Sequence, residues 1–115
     1  MYDAQFRIIQ KLAENGPCIV VGRCGDYIVK DRDDVLKVFI CAEEEDRVQR
    51  MMARRELSHE RAINAVELTD IERGKYYKLC TGQKWGVPET YDITLNVSAL
   101  GIDGVVDVLA TLYNA

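Results

Sequence analysis

The distribution of apolar positions along the chain predicts three strands. Residues 18–22 form a continuous apolar run and residues 35–42 a second, mostly apolar one, as is typical of strands that are covered on both faces. Residues 91–98 instead alternate apolar and polar side chains, which predicts a strand with one better-buried face.

Helices are predicted around these strands, because apolar residues recur there every three or four positions. Asp3 can cap the first helix, and an acidic run at residues 43–46 opens a second long one, where negative charge suits the helix dipole. Ser58 can cap a further helix, and Gly101 precedes the last one. Along the helix that Ser58 caps, the residues predicted to face inward are Ile63, Val66 and Ile71.

The predicted order is helix, strand, short helix, strand, two helices, strand and helix. Strands separated by helices pair in parallel through right-handed crossovers, so the expected fold class is α/β. Ligands bind such sheets at the carboxyl ends of the strands. The three strand ends, at Gly22-Arg23, at Ala42-Glu43 and at residues 98–101, are therefore expected to converge on one crevice.

Composition argues for an ordinary soluble domain. The chain has 115 residues, of which 48% are apolar and 30% charged. Its apolar runs, such as residues 18–21, are too short to span a bilayer, and the first residues lack the pattern of a signal peptide. Four irregularly spaced cysteines and a single histidine make a structural metal site unexpected, and a reducing cytoplasm is the expected location.

The charge is distributed unevenly. The net charge is −4, which argues against binding to a nucleic-acid polymer, but six of the nine arginines lie between Arg47 and Arg73. Such a cluster in an acidic protein indicates a local anion site. A solvated helix face with paired carboxylates explains the charge pattern equally well.

Five motifs occur in order along the chain, and together they resemble those of a known family. The motifs are residues 20–27 (VVGRCGDY), residues 38–42 followed by Arg47 and Arg50, Asp70-x-x-Arg73-x-x-Tyr76-Tyr77, Thr81-Gly82-x-x-Trp85-Gly86, and residues 91–96 (YDITLN). The chain resembles the cytidylate kinase-like family from about residue 6 to residue 112. This family is a branch of the nucleoside monophosphate kinases within the P-loop NTPases. The resemblance implies a three-layer parallel sheet and phosphoryl transfer from ATP, with Mg²⁺, to a nucleoside monophosphate such as CMP or dCMP.

The resemblance also implies roles for particular residues. The acceptor nucleotide would be bound by Gly22, Arg23 and Asp26, and the donor nucleotide by Arg47, Arg50, Ser98 and Gly101. The catalytic group would be Arg47, Asp70 and Arg73, of which Asp70 and Arg73 lie in a lid-like segment at about residues 54–86. Arginine suits this task because its planar fork meets phosphate oxygens with two hydrogen bonds. Plainer interpretations stay open: Arg23 as a surface turn residue, Arg50 as a helix-dipole partner, and Asp70 with Arg73 as a surface ion pair.

The most diagnostic segment of that family, a glycine-rich phosphate loop ending in Lys-Ser/Thr, does not occur in this sequence. The only Gly-Lys pair, Gly74-Lys75, is followed by Tyr76 and lies in a predicted helix. In the family, the strand before that loop is the middle of the sheet. The chain is therefore expected to be a single truncated domain over residues 1–115, with about three strands. Residues 18–22 and 35–42 would then either pair directly or leave a gap with exposed strand edges.

Three interpretations follow from this sequence. The first is the carboxyl-terminal part of a kinase whose phosphate loop is on another chain or was lost. The second is a degenerate nucleotide-binding or interaction module that cannot transfer phosphate, and the third is an anion-binding domain unrelated to kinases. The expected partners are a nucleoside monophosphate and ATP, with either a complementing P-loop chain or a second copy, and no membrane. Alone, the chain is expected to be catalytically inactive and either marginally stable or self-associating.

Overall fold

The computed structural model describes residues 2–22 and 24–114 as a mixed α/β fold. Helices dominate it, and two short strands form its sheet. In chain order the elements are α1 (Tyr2–Glu14), α2 (Gly25–Ile28), β1 (Val38–Cys41), α3 (Glu44–Arg55), α4 (His59–Thr81), a 3-10 turn (Pro88–Thr90), β2 (Ile93–Asn96) and α5 (Val97–Tyr113). None of the described helices is long and apolar enough to cross a bilayer.

The sheet consists of β1 and β2 in parallel. Val38 lies opposite Ile93 and Cys41 opposite Asn96, and α3 and α4 make the connection between the two strands. Parallel pairing through a helical crossover, which the sequence predicted, is confirmed for this pair. Both strands are shorter than predicted. The side chain of Asn96 accepts a hydrogen bond from the backbone N–H of Ser98 at 2.9 Å, which starts α5 directly after β2.

The third predicted strand, at residues 18–22, is wrong, because these residues form no strand in the structure. Val20 packs against Gly25, where an added Cβ would lie 2.8 Å from its Cγ1. Ile19 and Val21, in contrast, are 88% and 85% exposed. A strand that is apolar on both sides needs hydrogen-bonded neighbours and two covering layers, and the described chain supplies neither here. Both expected arrangements, direct pairing with residues 35–42 and a gap between two strand edges, are therefore wrong for the described residues, because both need a strand at residues 18–22.

The helix predictions fare better. The N-cap at Ser58 is confirmed, because its Oγ accepts a hydrogen bond from the backbone N–H of Arg61 at 3.3 Å. Glu44, Glu45 and Asp46 occupy the first turn of α3, as the acidic run indicated. Gly101, at φ 74° and ψ 165°, is non-helical and kinks α5, so the helix predicted after Gly101 is the second part of α5.

The best-packed part of the fold is the hairpin of α3 and α4. Val48, Ala62 and Val66 are 1%, 0% and 3% exposed, and they pack with partly buried Met51, Met52, Leu57 and Ile63. The prediction that Ile71 faces inward as well is wrong, since it is 53% exposed. The core of this hairpin therefore lies in the first half of α4, and the second half presents its apolar side chains elsewhere.

Candidate functional site

Three residues predicted to act together are brought into contact by the α3–α4 hairpin. Arg47 on α3 donates two hydrogen bonds to the Asp70 carboxylate on α4, from Nη1 to Oδ2 at 2.7 Å and from Nη2 to Oδ1 at 2.6 Å. Arg73, one turn after Asp70, approaches the same Oδ1 at 3.5 Å. We call these three side chains the arginine cluster. It forms at this point because the core of the hairpin fixes the spacing of the two helices.

The arginine cluster is electrostatically satisfied by its own members. The hydrogen bonds from Arg47 hold the pKa of Asp70 below its usual value, and the same bonds raise the pKa of Arg47. Arg47 and Asp70 are each 31% exposed, whereas Arg73 is 57% exposed. Both Nη atoms of Arg47 are therefore already bonded to Asp70. Arg73 is the member of the cluster whose guanidinium faces solvent and is open to an incoming anion.

The carboxyl ends of the two strands meet, as the sequence predicted. The backbone N–H of Glu43, just after β1, donates to Oγ of Ser98, just after β2, at 2.8 Å. Gly101, with its positive φ, lies three residues further on in α5. Arg50, the other residue predicted to contact the donor nucleotide, makes no ion pair with any side chain that the structure describes. This end of the sheet thus brings together Ser98 and the start of α3.

Of the residues predicted to bind the acceptor nucleotide, Gly22 lies at the turn before α2 and Asp26 in the first turn of α2. Gly22 has φ 67°, and its carbonyl accepts from the backbone N–H of Gly25 at 3.1 Å, so the predicted turn is present. Arg23, predicted to reach the acceptor phosphate, lies outside the described residues. The Asp26 carboxylate accepts a 2.7 Å hydrogen bond from the hydroxyl of Tyr77 on α4. That bond ties the turn to the lid-like helix.

Tyr77 is the residue of this site that the sequence reasoning missed. It is 5% exposed, and burial together with its contact to the Asp26 carboxylate raises its pKa, so it stays protonated and donates. Beside it an open cavity of about 210 Å³ is lined by Asp26, Lys30 and Lys37 among others. A signal was present in the sequence: Tyr77 follows the inward-facing Val66 by eleven positions, about three helical turns, so both share one face of α4.

The other aromatic residues of the motifs have structural contacts. The ring of Trp85 packs edge-on against Phe39 on β1, with centroids 5.6 Å apart and planes at 70°, and Phe39 also contacts Tyr91 at 5.0 Å. The hydroxyl of Tyr76 donates to Gln5 Oε1 at 3.0 Å. These contacts anchor the carboxyl-terminal part of the lid-like segment to α1 and β1.

Comparisons with known proteins found a family and a related structure. The sequence model of the cytidylate kinase-like family matches residues 1–99. The crystal structure of an uncharacterized protein from Eubacterium ventriosum ATCC 27560 superposes with a TM-score of 0.92 at 27% identity, covering 98% of this chain and 64% of that one. The chain thus spans less than two thirds of the length of that protein. No curated protein matches it.

Proposed function

The chain belongs to the cytidylate kinase-like family, and from that premise we propose that it is the carboxyl-terminal part of a unit that transfers a phosphoryl group from ATP to a nucleoside monophosphate of the CMP or dCMP type. The observation that carries the proposal is the arginine cluster. The resemblance assigns Arg47, Asp70 and Arg73 to catalysis. Arg47 and Asp70 are 23 positions apart in the sequence, and in the structure two hydrogen bonds join them.

The cluster suits phosphoryl transfer, which depends on positioning and on neutralising the charge of the transferred group. Arg73 is open to solvent and can donate to phosphate oxygens without losing a strong bond, since its contact with Asp70 is 3.5 Å long. For Arg47 to bind phosphate, its hydrogen bonds to Asp70 must be replaced by hydrogen bonds to phosphate oxygens. In this proposal Asp70 holds both guanidinium groups in place until the phosphates arrive.

The remaining assignments follow the strand ends. We assign Ser98, Gly101 and Arg50 to the donor side, where the end of β2 meets the start of α3. Gly22, Arg23 and Asp26 form the acceptor side. The bond from Tyr77 to Asp26 places the acceptor turn against the same helix that carries Asp70 and Arg73. Movement of α4 would therefore affect both sides at once.

This chain by itself does not supply the whole site. Its sequence has no phosphate loop, the segment whose Ser/Thr hydroxyl helps to hold the Mg²⁺ that the family uses. We therefore assign the phosphate loop and the metal site to a complementing chain. Because β1 pairs only with β2 in the described sheet, its free edge is the place we assign to that chain's strand.

Complementation tests the proposal directly. We would coexpress the chain with the part of the Eubacterium ventriosum protein that lies outside the matched region, and measure formation of ADP from ATP with and without CMP. We expect a stable complex and CMP-dependent ADP formation, which Arg73→Ala abolishes and Arg32→Ala, a matched change at an exposed ion pair, leaves intact. A stable complex that turns over ATP with neither CMP nor dCMP would overturn the proposal.

A second candidate function is a non-catalytic anion- or nucleotide-binding module. The observation that favours it is the 57% exposure of Arg73, which is available to an anion without any partner chain. This candidate expects heat of binding for CMP or ATP in calorimetry of the chain alone, lost in Arg73→Ala. No heat with either nucleotide would remove it and leave the kinase proposal unaffected.

A further inference from the structure

A shallow groove of about 470 Å³ lies along the second half of α4, next to the arginine cluster. Its apolar lining is Ile71, Gly74 and Trp85, and its basic lining is Lys75, Lys78 and Lys84. Asp70 also lines the groove and is the residue that it shares with the arginine cluster. We call this surface the lysine groove.

The charge of the lysine groove is not compensated locally. None of its three lysines forms an ion pair with another side chain in the described ranges. Its one carboxylate, Asp70, is already bonded to Arg47 and Arg73. The chain as a whole carries −4, so this surface is a local exception that attracts an anion.

Gly74 is the second feature that indicates a binding site in the lysine groove. It lies inside α4, where glycine stabilises a helix less than alanine does, and it has no positive φ that would require glycine. An added Cβ would meet nothing within 4 Å, so neighbouring atoms do not require glycine either. In the described structure its effect is to leave the helix backbone open to close approach within the groove.

Trp85 supplies a flat surface beside that opening. Its ring is held in one orientation by the edge-on contact with Phe39, which lies on the sheet. A fixed indole next to a bare stretch of helix backbone is a platform on which a planar ring can stack. The lysines around it provide charge without the two-pronged geometry of arginine, and so suit several phosphate oxygens at variable positions.

We propose that the lysine groove binds a small polyanion that carries a flat ring system, the chemistry of a nucleoside polyphosphate. The ring lies on Trp85 over Gly74, and the phosphates contact Lys75, Lys78 and Lys84. The volume of about 470 Å³ lies within the range of about 300–1,000 Å³ that is common for small-molecule sites. Arg50, Ser98 and Gly101, assigned above to the donor nucleotide, do not line this groove, and the inference needs no complementing chain.

The single tryptophan of the chain makes the test direct. Fluorescence of Trp85 is followed while the chain is titrated with ATP, with adenosine and with inorganic tripolyphosphate. We expect saturable quenching by ATP, with binding about tenfold tighter than that of adenosine or tripolyphosphate alone, because each of these lacks half of the contacts. Equal binding of tripolyphosphate and ATP, or equal displacement of ATP by a polyglutamate peptide, would show a general polyanion surface and overturn the proposal.

Variants locate the binding. Lys75→Gln with Lys78→Gln is expected to weaken ATP binding about tenfold, since two charge-assisted contacts are lost. The matched control, Lys11→Gln with Arg54→Gln, changes the net charge equally on other helices and should leave binding unchanged. Gly74→Leu fills the groove with a good helix former, so the fold is kept while quenching is lost. Unchanged quenching in Gly74→Leu or in the double lysine variant overturns the proposal.

One more variant distinguishes binding in the lysine groove from binding at the donor-nucleotide site proposed above. Arg50→Ala removes a residue assigned to the donor nucleotide and should leave the quenching of Trp85 by ATP unchanged. If Arg50→Ala abolishes the quenching instead, the fluorescence reports the donor site, and the lysine groove is not a site of its own.

Discussion

The α3–α4 hairpin and the segment at residues 18–21 are both rich in apolar residues, but only the hairpin buries them. Val48 and Ala62 are 1% and 0% exposed, whereas Ile19 and Val21 are 88% and 85% exposed. The hairpin finds its partners within the next helix, so its core closes inside the chain. The apolar run needs strands on either side and layers above and below, and these are not part of the described residues.

The size of the molecule reflects the same difference. Its radius of gyration is 15.7 Å, against about 13 Å for a compact domain of this length. A sheet of two strands is also below the size at which sheets are stable on their own. Packed and open parts of the molecule should therefore respond differently to matched substitutions, and four pairs of variants, each at two residues of the same type in different surroundings, measure such differences.

The largest effect is expected from the same truncation at a closed and at an open position. Val48→Ala should lower the free energy of unfolding by about 2 kcal/mol, through lost burial and the cavity left behind. Val21→Ala should change it by less than about 0.5 kcal/mol, as at other exposed sites. Urea unfolding followed by circular dichroism compares the two. Equal losses would mean that Val21 is buried in solution, by self-association or otherwise, and would break the comparison.

The bond between α4 and the acceptor turn comes next. Tyr77→Phe removes the donor to Asp26 in a buried position and should cost about 1.5 kcal/mol of stability, as for hydrogen bonds to charged groups. Tyr76→Phe removes the bond to Gln5 at a more exposed position and should cost clearly less. The same urea titration measures both variants. A cost for Tyr76→Phe as large as that for Tyr77→Phe would show that α1 is held as firmly as the turn.

Substitution of two glycines by alanine compares a position with free space around it and a position without. Gly74→Ala should stabilise the chain by up to about 1 kcal/mol, because alanine favours the helix and the added Cβ meets open space. Gly25→Ala should destabilise it, because the new Cβ would lie 2.8 Å from Val20 and push the open segment away from α2. Thermal unfolding should therefore shift in opposite directions. Stabilisation by Gly25→Ala would mean that Val20 moves aside freely.

The features that could be predicted from the sequence are those that depend on residues close together in the chain. The caps and charges of α3 and α4 were predicted, since these depend on residues within a few positions of each other. The contact of Arg73 with Asp70 follows from their spacing of three positions on one helix, whereas the bond from Arg47 to Asp70, 23 positions away, was not predicted. The strand at residues 18–22 could not be predicted correctly from its own pattern, because apolar side chains form a strand only where a neighbour offers hydrogen bonds. The partner of Asp26 was missed because the two residues are 51 positions apart.

The smallest effect concerns pH and the arginine cluster. Because Arg47 holds the pKa of Asp70 below its usual value of 3.8, the pair stabilises the fold fully above that value. This contribution is lost as the pH falls from about 4 through the lowered pKa. It is expected to be on the order of 1 kcal/mol or less, since the pair is partly exposed. Asp70→Asn should therefore flatten the decline in stability below pH 4.

The control for this prediction is Asp34→Asn, which removes the partner of Arg32 at a carboxylate that is 70% exposed. Asp34→Asn should leave the decline in stability below pH 4 unchanged, although Arg32 lowers the pKa of Asp34 just as Arg47 lowers that of Asp70. Solvent screens that pair, whereas the hairpin core holds the arginine cluster in one geometry. Equal flattening in both variants would show that the two helices are not held together firmly enough at Arg47 and Asp70 to distinguish their bond from a surface ion pair.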